Sequence, residues 1–465
     1  MIGRFGRLSI GLALSTYAVF PPTLGAQRAT ADSTRLTLED GIALALKNTL
    51  TVQLAAADVR QSAGALLEAR GRFLPALGAG AGGFAEQGTT LLSSTATVPT
   101  DTRFVGAAWQ LSSAVNLFNG FQDVATLRSA QLSRSAAQFA LDRARQQAVF
   151  DVTQSFAQLT LDERLVEVAE ANLALSRARE GQLEEQVRVG TRAPPDLFRQ
   201  RAQTRADEGL VIESRNRARN DRVALLVRLR VDPARAVAIV PPAPDTLVLA
   251  ESLLNATALA ARALGDRADL GAARSRVEAA DEAVRGARGG AMPRVVLGLD
   301  YVASARIFDW ERVNGASTIV GGQRPIATQL GDQGVAVLSL GLAWPLFDRN
   351  RTRFDIERAS VVADRERALA EDLRLRVIGE VERAVGDYRA AVQFRRTTVA
   401  GLAAAQEAFE AVQGRFDVGL ASFIDLQSAQ ASLTQARAVA AQAEVNLSLQ
   451  RDVLRLVTGS LATAR

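Results

Sequence analysis

Cysteine and histidine are both missing from this 465-residue chain. Thiolate attack, soft metal ligation and most neutral-pH acid/base work rest on those two side chains. Their absence excludes ordinary His/Cys zinc sites, thiol chemistry, disulfides and Ser-His-Asp triads. Only two methionines are present, so metal chelation by sulfur has no support either. Proline is scarce, 13 residues, which leaves long stretches free to be helical. Past the N-terminus no segment approaches 18 consecutive apolar residues, so no membrane-crossing helix is expected.

What is present is an alanine-, leucine- and arginine-rich chain with 48% hydrophobic residues, too apolar for a disordered one. The formal charge is +5, from 55 basic and 50 acidic residues. Arginines alternate with carboxylates, as at Asp142, Arg143 and Arg145. That is the pattern of solvated helix faces, not the concentrated patch of a nucleic-acid binder. No acid, base and nucleophile stand together, so neither an enzyme nor a cofactor is expected. Arg4 and Arg7 precede an apolar stretch from Leu8 to Phe20, then Pro21, Pro22 and a small-residue site at Gly25-Ala26. Residues 1–26 thus read as a secretory signal peptide, and the rest as an exported protein.

An internal repeat sets the architecture. Phe73-Leu74-Pro75 is matched by Ala291-Met292-Pro293, 218 residues on; Leu117-Phe118-Asn119 recurs as Leu346-Phe347-Asp348 at an offset of 229. Val189-Gly190 with Asp196 recurs as Val418-Gly419 with Asp425, again at 229. The expected first repeat is 27–245: a helix capped by Thr37 and ending near Asn48, a β-hairpin over 76–118, a long helix, a tip turn at 190–196 and a helix. The second is 246–465: a helix around 253–289, a hairpin over 294–347, a long helix, a tip turn at 419–425 and a helix. The segments 86–103 and 304–334 read as external loops. Pro194-Pro195 is expected to block helix in the first tip turn.

The strands alternate. Val105, Ala107, Trp109, Leu111 and Val115 share a face against Gly106, Gln110 and Ser112; Ala336, Leu338, Leu340, Leu342 and Trp344 do the same against Ser339 and Gly341. Val295, Leu297, Leu299 and Tyr301 repeat it. Apolar-out, polar-in alternation over ~10 residues is the signature of a transmembrane barrel, and Trp109, Tyr301 and Trp344 suit its interfaces. Four strands cannot close a barrel alone, since their edges would leave backbone groups unpaired in lipid. Three copies and twelve strands are the simple solution. From Phe121 to Val189 and from Arg351 to Val418 there is no proline, so each run predicts a helix of ~100 Å at 1.5 Å per residue. The rival reading is a periplasmic or surface coiled-coil structural protein.

Several strings resemble the TolC-type outer-membrane efflux family: Leu36-Thr37-Leu38-Glu39-Asp40 with Ala43-Leu44, Leu117-Phe118-Asn119-Gly120, Trp344-Pro345-Leu346-Phe347-Asp348, and Val418-Gly419-Leu420 with Asp425. The resemblance spans residues 36–461. It implies a mixed fold, a twelve-stranded membrane β-barrel from a homotrimer continued by a periplasmic α-helical barrel. It also implies an outer-membrane location and the role of exit duct in a tripartite efflux or type I secretion system. Its partners would be a periplasmic adaptor protein and an inner-membrane transporter, with outer-membrane lipid around the barrel. Val189, Gly190, Thr191, Arg192, Val418, Gly419, Leu420 and Ala421 would form the adaptor-contacting tip. Asp196, Asp425, Ser428 and Phe416 would be aperture candidates, Asp196 and Asp425 serving equally well as helix caps. Where the best-known member's gate carries an aromatic hydroxyl, an arginine and a second aspartate, this chain has Phe416, Ala421 and Ser428, so a gate latched by those polar links is not expected. A lipidated N-terminal cysteine, found in many relatives, is ruled out.

Overall fold

The computed structural model describes residues 34–91, 99–235, 237–240, 242, 247–313, 316–318 and 324–461. The expected signal peptide lies outside the described residues. The first half runs β1 (Thr34–Leu36), α1 (Leu38–Asn48), α2 (Leu50–Gly71), β2 (Ala76–Leu91), β3 (Pro99–Phe118), α3 (Gln122–Arg188), α4 (Pro194–Arg228) and β4 (Val237–Ile239). The second runs α5 (Ala256–Asp266), α6 (Ala268–Arg288), β5 (Arg294–Val313), β6 (Ala316–Thr318), α7 (Ile326–Asp332), β7 (Gly334–Ala343), α8 (Arg351–Asp417) and α9 (Phe423–Val457). The long helices α3 and α8 are 67 residues each, and α4 and α9 are 35 each.

Local chemistry sets the boundaries. Thr37 and Asp40 form a capping box: the Asp40 N–H donates to the Thr37 hydroxyl at 3.2 Å and the Thr37 N–H to the Asp40 carboxylate at 3.1 Å. The first helix of each half then breaks at one extended residue, Thr49 (ψ 134°) and Arg267 (ψ 125°), before resuming as α2 and α6. The first helix ends at Asn48 as expected, but the sequence reading has no α2 after it and no break at Arg267 within the helix expected around 253–289, because one extended residue leaves the apolar spacing on either side intact. The expectation at Pro194-Pro195 is corrected: both lie in the first turn of α4, where no N–H has an intrahelical partner to lose. The segments read as loops are largely strand. β2 and β3 pair out to Leu91↔Pro99, and β5 pairs with β3 out to Val313. Backbone ladders need no apolar side chains, so strands outrun the alternation. Residues 92–98 and 319–323 lie outside the described residues.

The main sheet has five strands, ordered β2-β3-β5 with β7 pairing the lower length of β5 and the short β6 its upper end, all antiparallel, while β1 and β4 make a separate parallel pair across the first half. Below the sheet, α3 packs on α4 and on α9, and α9 on α8, giving a helical layer ordered α4-α3-α9-α8. α2 lies on α3, and α6 bridges α3 and α8. Three buried clusters hold this layer. Phe156, Leu159, Leu225 and Leu229 close under β1; Val381, Val385, Tyr388 and Leu447 tie α8 to α9; Leu183, Phe409, Phe416, Phe423 and Leu426 fill the far end. At ~25 cal/mol per Å² of apolar surface, these clusters are what keep helices of this length side by side.

One pair in the layer is electrically awkward. Asp162 on α3 is buried and shares a hydrogen bond with Asp221 on α4. Burial, then that bond and the neighbouring charge, push its pKa up to about 7, against Arg217 and Gln158 pulling down. The folded chain therefore holds a proton that the unfolded chain releases near pH ~3.9. The stability that this proton contributes is full at low pH and is lost as pH rises towards 7. The melting temperature is expected to fall between pH 5 and 8, and Asp162→Asn to flatten that slope. Equal slopes in both proteins, measured by thermal unfolding across that range, would remove Asp162 as the cause.

Candidate functional site

Register decides what the sheet presents. Leu111 faces Tyr301, Leu297 faces Leu340 and Leu299 faces Leu338 across their ladders, so the apolar rows of β3, β5 and β7 fall on one side. Leu77, Ala79 and Ala81 of β2 join them through Ser113, Leu111 and Trp109. Directly paired residues share a face, which is why four separate alternations become one continuous surface. Leu77, Leu299, Leu338, Leu340 and Leu342 are all exposed. The opposite side carries Gly78, Gly80, Gln110, Ser112, Asp300, Ser304 and Ser339. This sheet is inside out: among the described residues, the leucines of its apolar face stand exposed, although Ala303 and Ala305 at its upper end are buried.

Aromatic residues mark two levels on that face. The Trp109 and Tyr301 rings meet at 5.0 Å, at the level where Trp109 pairs with Ala303. Trp344 follows β7 at the other end and donates its indole N–H to the Ala291 carbonyl at 3.2 Å. Between the Arg294↔Ala343 and Ala303↔Gly334 pairs the strands rise ~30 Å, at about 3.3 Å per residue. That matches a bilayer's hydrocarbon core of ~30 Å, or ~25 Å once the strands tilt. β7 is as long as this span. Above it the Gln329 side chain of α7 takes the missing strand's place: its amide accepts from the Arg306 N–H and donates to the Arg306 carbonyl, both at 3.0 Å.

Where strand becomes long helix, both halves use two consecutive left-handed residues: Gly120 (φ 67°) and Phe121 (φ 64°), then Arg349 (φ 57°) and Asn350 (φ 64°). Gly120 is also a contact point, since a Cβ there would overlap the Gly289 carbonyl oxygen. The sequence strings at 117–120 and 346–348 flagged this junction without revealing its geometry.

At the far end the two reversals are alike. The Gly190 N–H donates to the Val187 carbonyl at 3.1 Å and the Thr191 N–H to Gln186 at 2.9 Å; Gly419 and Leu420 repeat this on Phe416 and Arg415 at 3.0 and 2.7 Å. These are Schellman closures, each with its glycine at positive φ, 77° and 79°. Val189, Thr191, Val418 and Leu420 are exposed, while Arg192 and Ala421 are half-buried. Asp425 closes a capping box with Ser422, whose hydroxyl and N–H hold its carboxyl below the ordinary carboxylate value. Asp196 makes no cap and pairs instead with Arg192 and Arg199 at 3.9 and 3.5 Å. Ser428 is exposed. Phe416 is buried inside the protomer, with the Arg192 guanidinium 4.3 Å over its ring. The first turn's arginine thus rests on the second turn's aromatic. Phe198 and Ile424, exposed beside these residues, escaped the sequence reading because each looks like an ordinary core position of its helix. Among the described residues, no acidic group is arranged to hold a metal.

Residues 259–460 match the model of the outer membrane efflux protein family. No curated protein sequence matches the chain significantly. Among solved structures, the outer membrane protein VceC of Vibrio cholerae is similar at TM-score 0.77 and 20% identity, over 91% of this chain and 96% of its own. The CmeC outer membrane channel of Campylobacter jejuni is similar at TM-score 0.74 and 15% identity, over 92% and 87%. The open state of the MtrE outer membrane channel of Neisseria gonorrhoeae is similar at 0.67 and 18%, over 91% and 89%.

Proposed function

We propose that the chain is a member of the TolC-type outer-membrane efflux family and that three copies form a passive exit duct gated at its periplasmic tip. The family is one of channels, and the chain is an outer-membrane protein with a long periplasmic helical extension. The observation that carries the duct reading is the sheet: a largely exposed apolar face of bilayer height whose edge strands, β2 on one side and β7 with the short β6 on the other, have no outer partner among the described residues. Unpaired edges cost several kcal/mol per backbone group in hydrocarbon, and joining β2 of one copy to β7 of the next removes every edge. A coiled-coil structural protein would leave this face without a purpose.

In this reading the polar sheet face lines the lumen and the paired long helices extend it across the periplasm. The tip at Val189–Arg192 and Val418–Ala421 meets a periplasmic adaptor, and an inner-membrane transporter supplies the energy. Purified trimers in planar bilayers should conduct ions. A water-soluble monomer that makes no channels would overturn the duct.

The tip carries its own prediction. Nothing lies within 4 Å of a Cβ built on Gly190 or Gly419, so only backbone strain opposes a side chain there. Positive φ costs a β-branched residue about 1–3 kcal/mol. Gly190→Val and Gly419→Val should distort the tip yet leave the distant barrel whole: trimers reach the outer membrane, but adaptor binding and export are lost. Wild-type export by both variants would mean that these turns are not the working tip.

A further inference from the structure

The polar side of the sheet, which lines the lumen in the duct reading, changes character along its height. Through the bilayer span it carries small residues such as Gly78, Gly80, Ala108, Gly298 and Gly341. Above that span the same side turns aromatic and basic. Phe84 pairs with Gly106, Gly106 pairs with Arg306, and Phe104 lies two residues further up β3. Pairing and alternation put Phe84, Phe104 and Arg306 on the lumenal side together.

These three side chains are built as a unit. The Phe84 and Phe104 rings meet edge to face, 6.0 Å between centroids and 89° between planes. The Arg306 guanidinium lies over the Phe104 ring, 5.3 Å from its centroid. Gly106 is the notch between them: a Cβ there would stand 2.5 Å from the Phe84 ring and 2.7 Å from the Ala305 carbonyl oxygen. Phe104 is 6% exposed, whereas Phe84 is 38% exposed and Arg306 also faces open space. The Arg306 backbone is held as well, since its N–H and its carbonyl both bond the Gln329 side chain. Stacking on a ring orients a guanidinium yet leaves its N–H edges free for a ligand. Among the described residues no carboxylate pairs with it.

We infer that Phe84, Phe104 and Arg306 form a collar at the outer mouth that binds amphiphilic organic anions. The guanidinium takes the carboxylate or sulfonate, whose two oxygens match its fork, and the exposed Phe84 ring takes the apolar part. The inference rests on the duct reading above. Arg306 stands three residues above the Ala303↔Gly334 pair, about 10 Å at 3.3 Å per residue, which is the outer end of the span. Rotation about the tube axis preserves height, so three copies bring three guanidiniums to one level. Asp300 and Arg294, on the same side of β5, lie about 20 and 40 Å below and are screened from the collar by salt. Glu86, paired with Phe104 on the lumenal side, sits two strands from Arg306, about 10 Å away, and opposes the anion.

The test is block of the current through purified protein in planar bilayers by 2-naphthalenesulfonate, added to each side in turn. Arg306→Gln should conduct but be blocked about tenfold less tightly, the loss of one charge-assisted hydrogen bond. Phe84→Ala should weaken the block as well, and Glu86→Gln should tighten it. Arg294→Gln, about 40 Å lower on the same side, should be blocked like the wild type. Equal block of the wild type and of a conducting Arg306→Gln variant overturns the collar and leaves the duct standing. Equal weakening by Arg294→Gln and Arg306→Gln would assign the block to the net charge of the lumen and also overturns the collar. A wild-type protein that forms no channels removes the duct reading and the collar together.

Discussion

Arg267→Ala is expected to destabilise the protein by about 3–5 kcal/mol, the cost of breaking a buried ion pair by removing one partner. Arg267 is 2% exposed and sits at the break between α5 and α6. Its Nε and Nη2 donate to the two oxygens of Asp269 at 3.0 and 2.6 Å, and its Nη1 donates to Glu380 of α8 at 2.6 Å. The same Nη1 reaches the Val457 carbonyl, at the end of α9, at 3.4 Å. Arg143 of α3 lies 3.7 Å from Asp269. Burial alone would make Arg267 easier to deprotonate, but its bonds to Asp269 and Glu380 outweigh that and raise its pKa. One guanidinium therefore ties α6, α8 and the end of α9 together, and its loss strands Asp269 and Glu380. Arg267→Lys should lose less, keeping the charge without the fork. The measurement is thermal unfolding of the detergent-solubilised protein; an unchanged midpoint in the alanine variant would show that the network is idle.

The second large effect belongs to the membrane face. Leu338 is exposed near the middle of the ~30 Å span, paired with Leu299 on the apolar side. An arginine at the midplane of a membrane barrel costs about 2–4 kcal/mol, and a trimer carries three of them. Leu338→Arg should abolish accumulation of heat-resistant trimers in the outer membrane. Val337→Arg, one residue away, faces the other side opposite Asp300 and should assemble normally. Equal behaviour of the two variants would mean that the sheet does not sort its faces between lipid and lumen.

Much of this architecture was legible because its signals are local or periodic. The proline-free runs predicted α3 and α8 to within a few residues, and Thr37 with Asp40 announced the first cap. Alternation at Leu338, Leu340 and Leu342 identified the apolar face. What escaped depends on residues far apart in sequence. The parallel pairing of Thr34–Leu36 with Val237–Ile239 bridges two hundred residues and carries no pattern in either strand. The Arg267 network draws on four helices. The stacking of Arg192 on Phe416 joins the two halves; the sequence marks Arg192 as a tip residue and Phe416 as an aperture candidate, but nothing in either turn announces that they meet. The resumption of helix as α2 after Thr49 and the break at Arg267 escaped for a different reason, since a single extended residue leaves helical spacing undisturbed.

The central claim is that the open edges of the protomer's β2-β3-β5-β7 sheet, with its short β6, are closed by two further copies of the same chain. The mass of the particle extracted from outer membranes in mild detergent, by light scattering corrected for bound detergent, tests it most directly. The account predicts three chains per particle and dependence on detergent throughout. A stable monomer that remains soluble once the detergent is removed would contradict it.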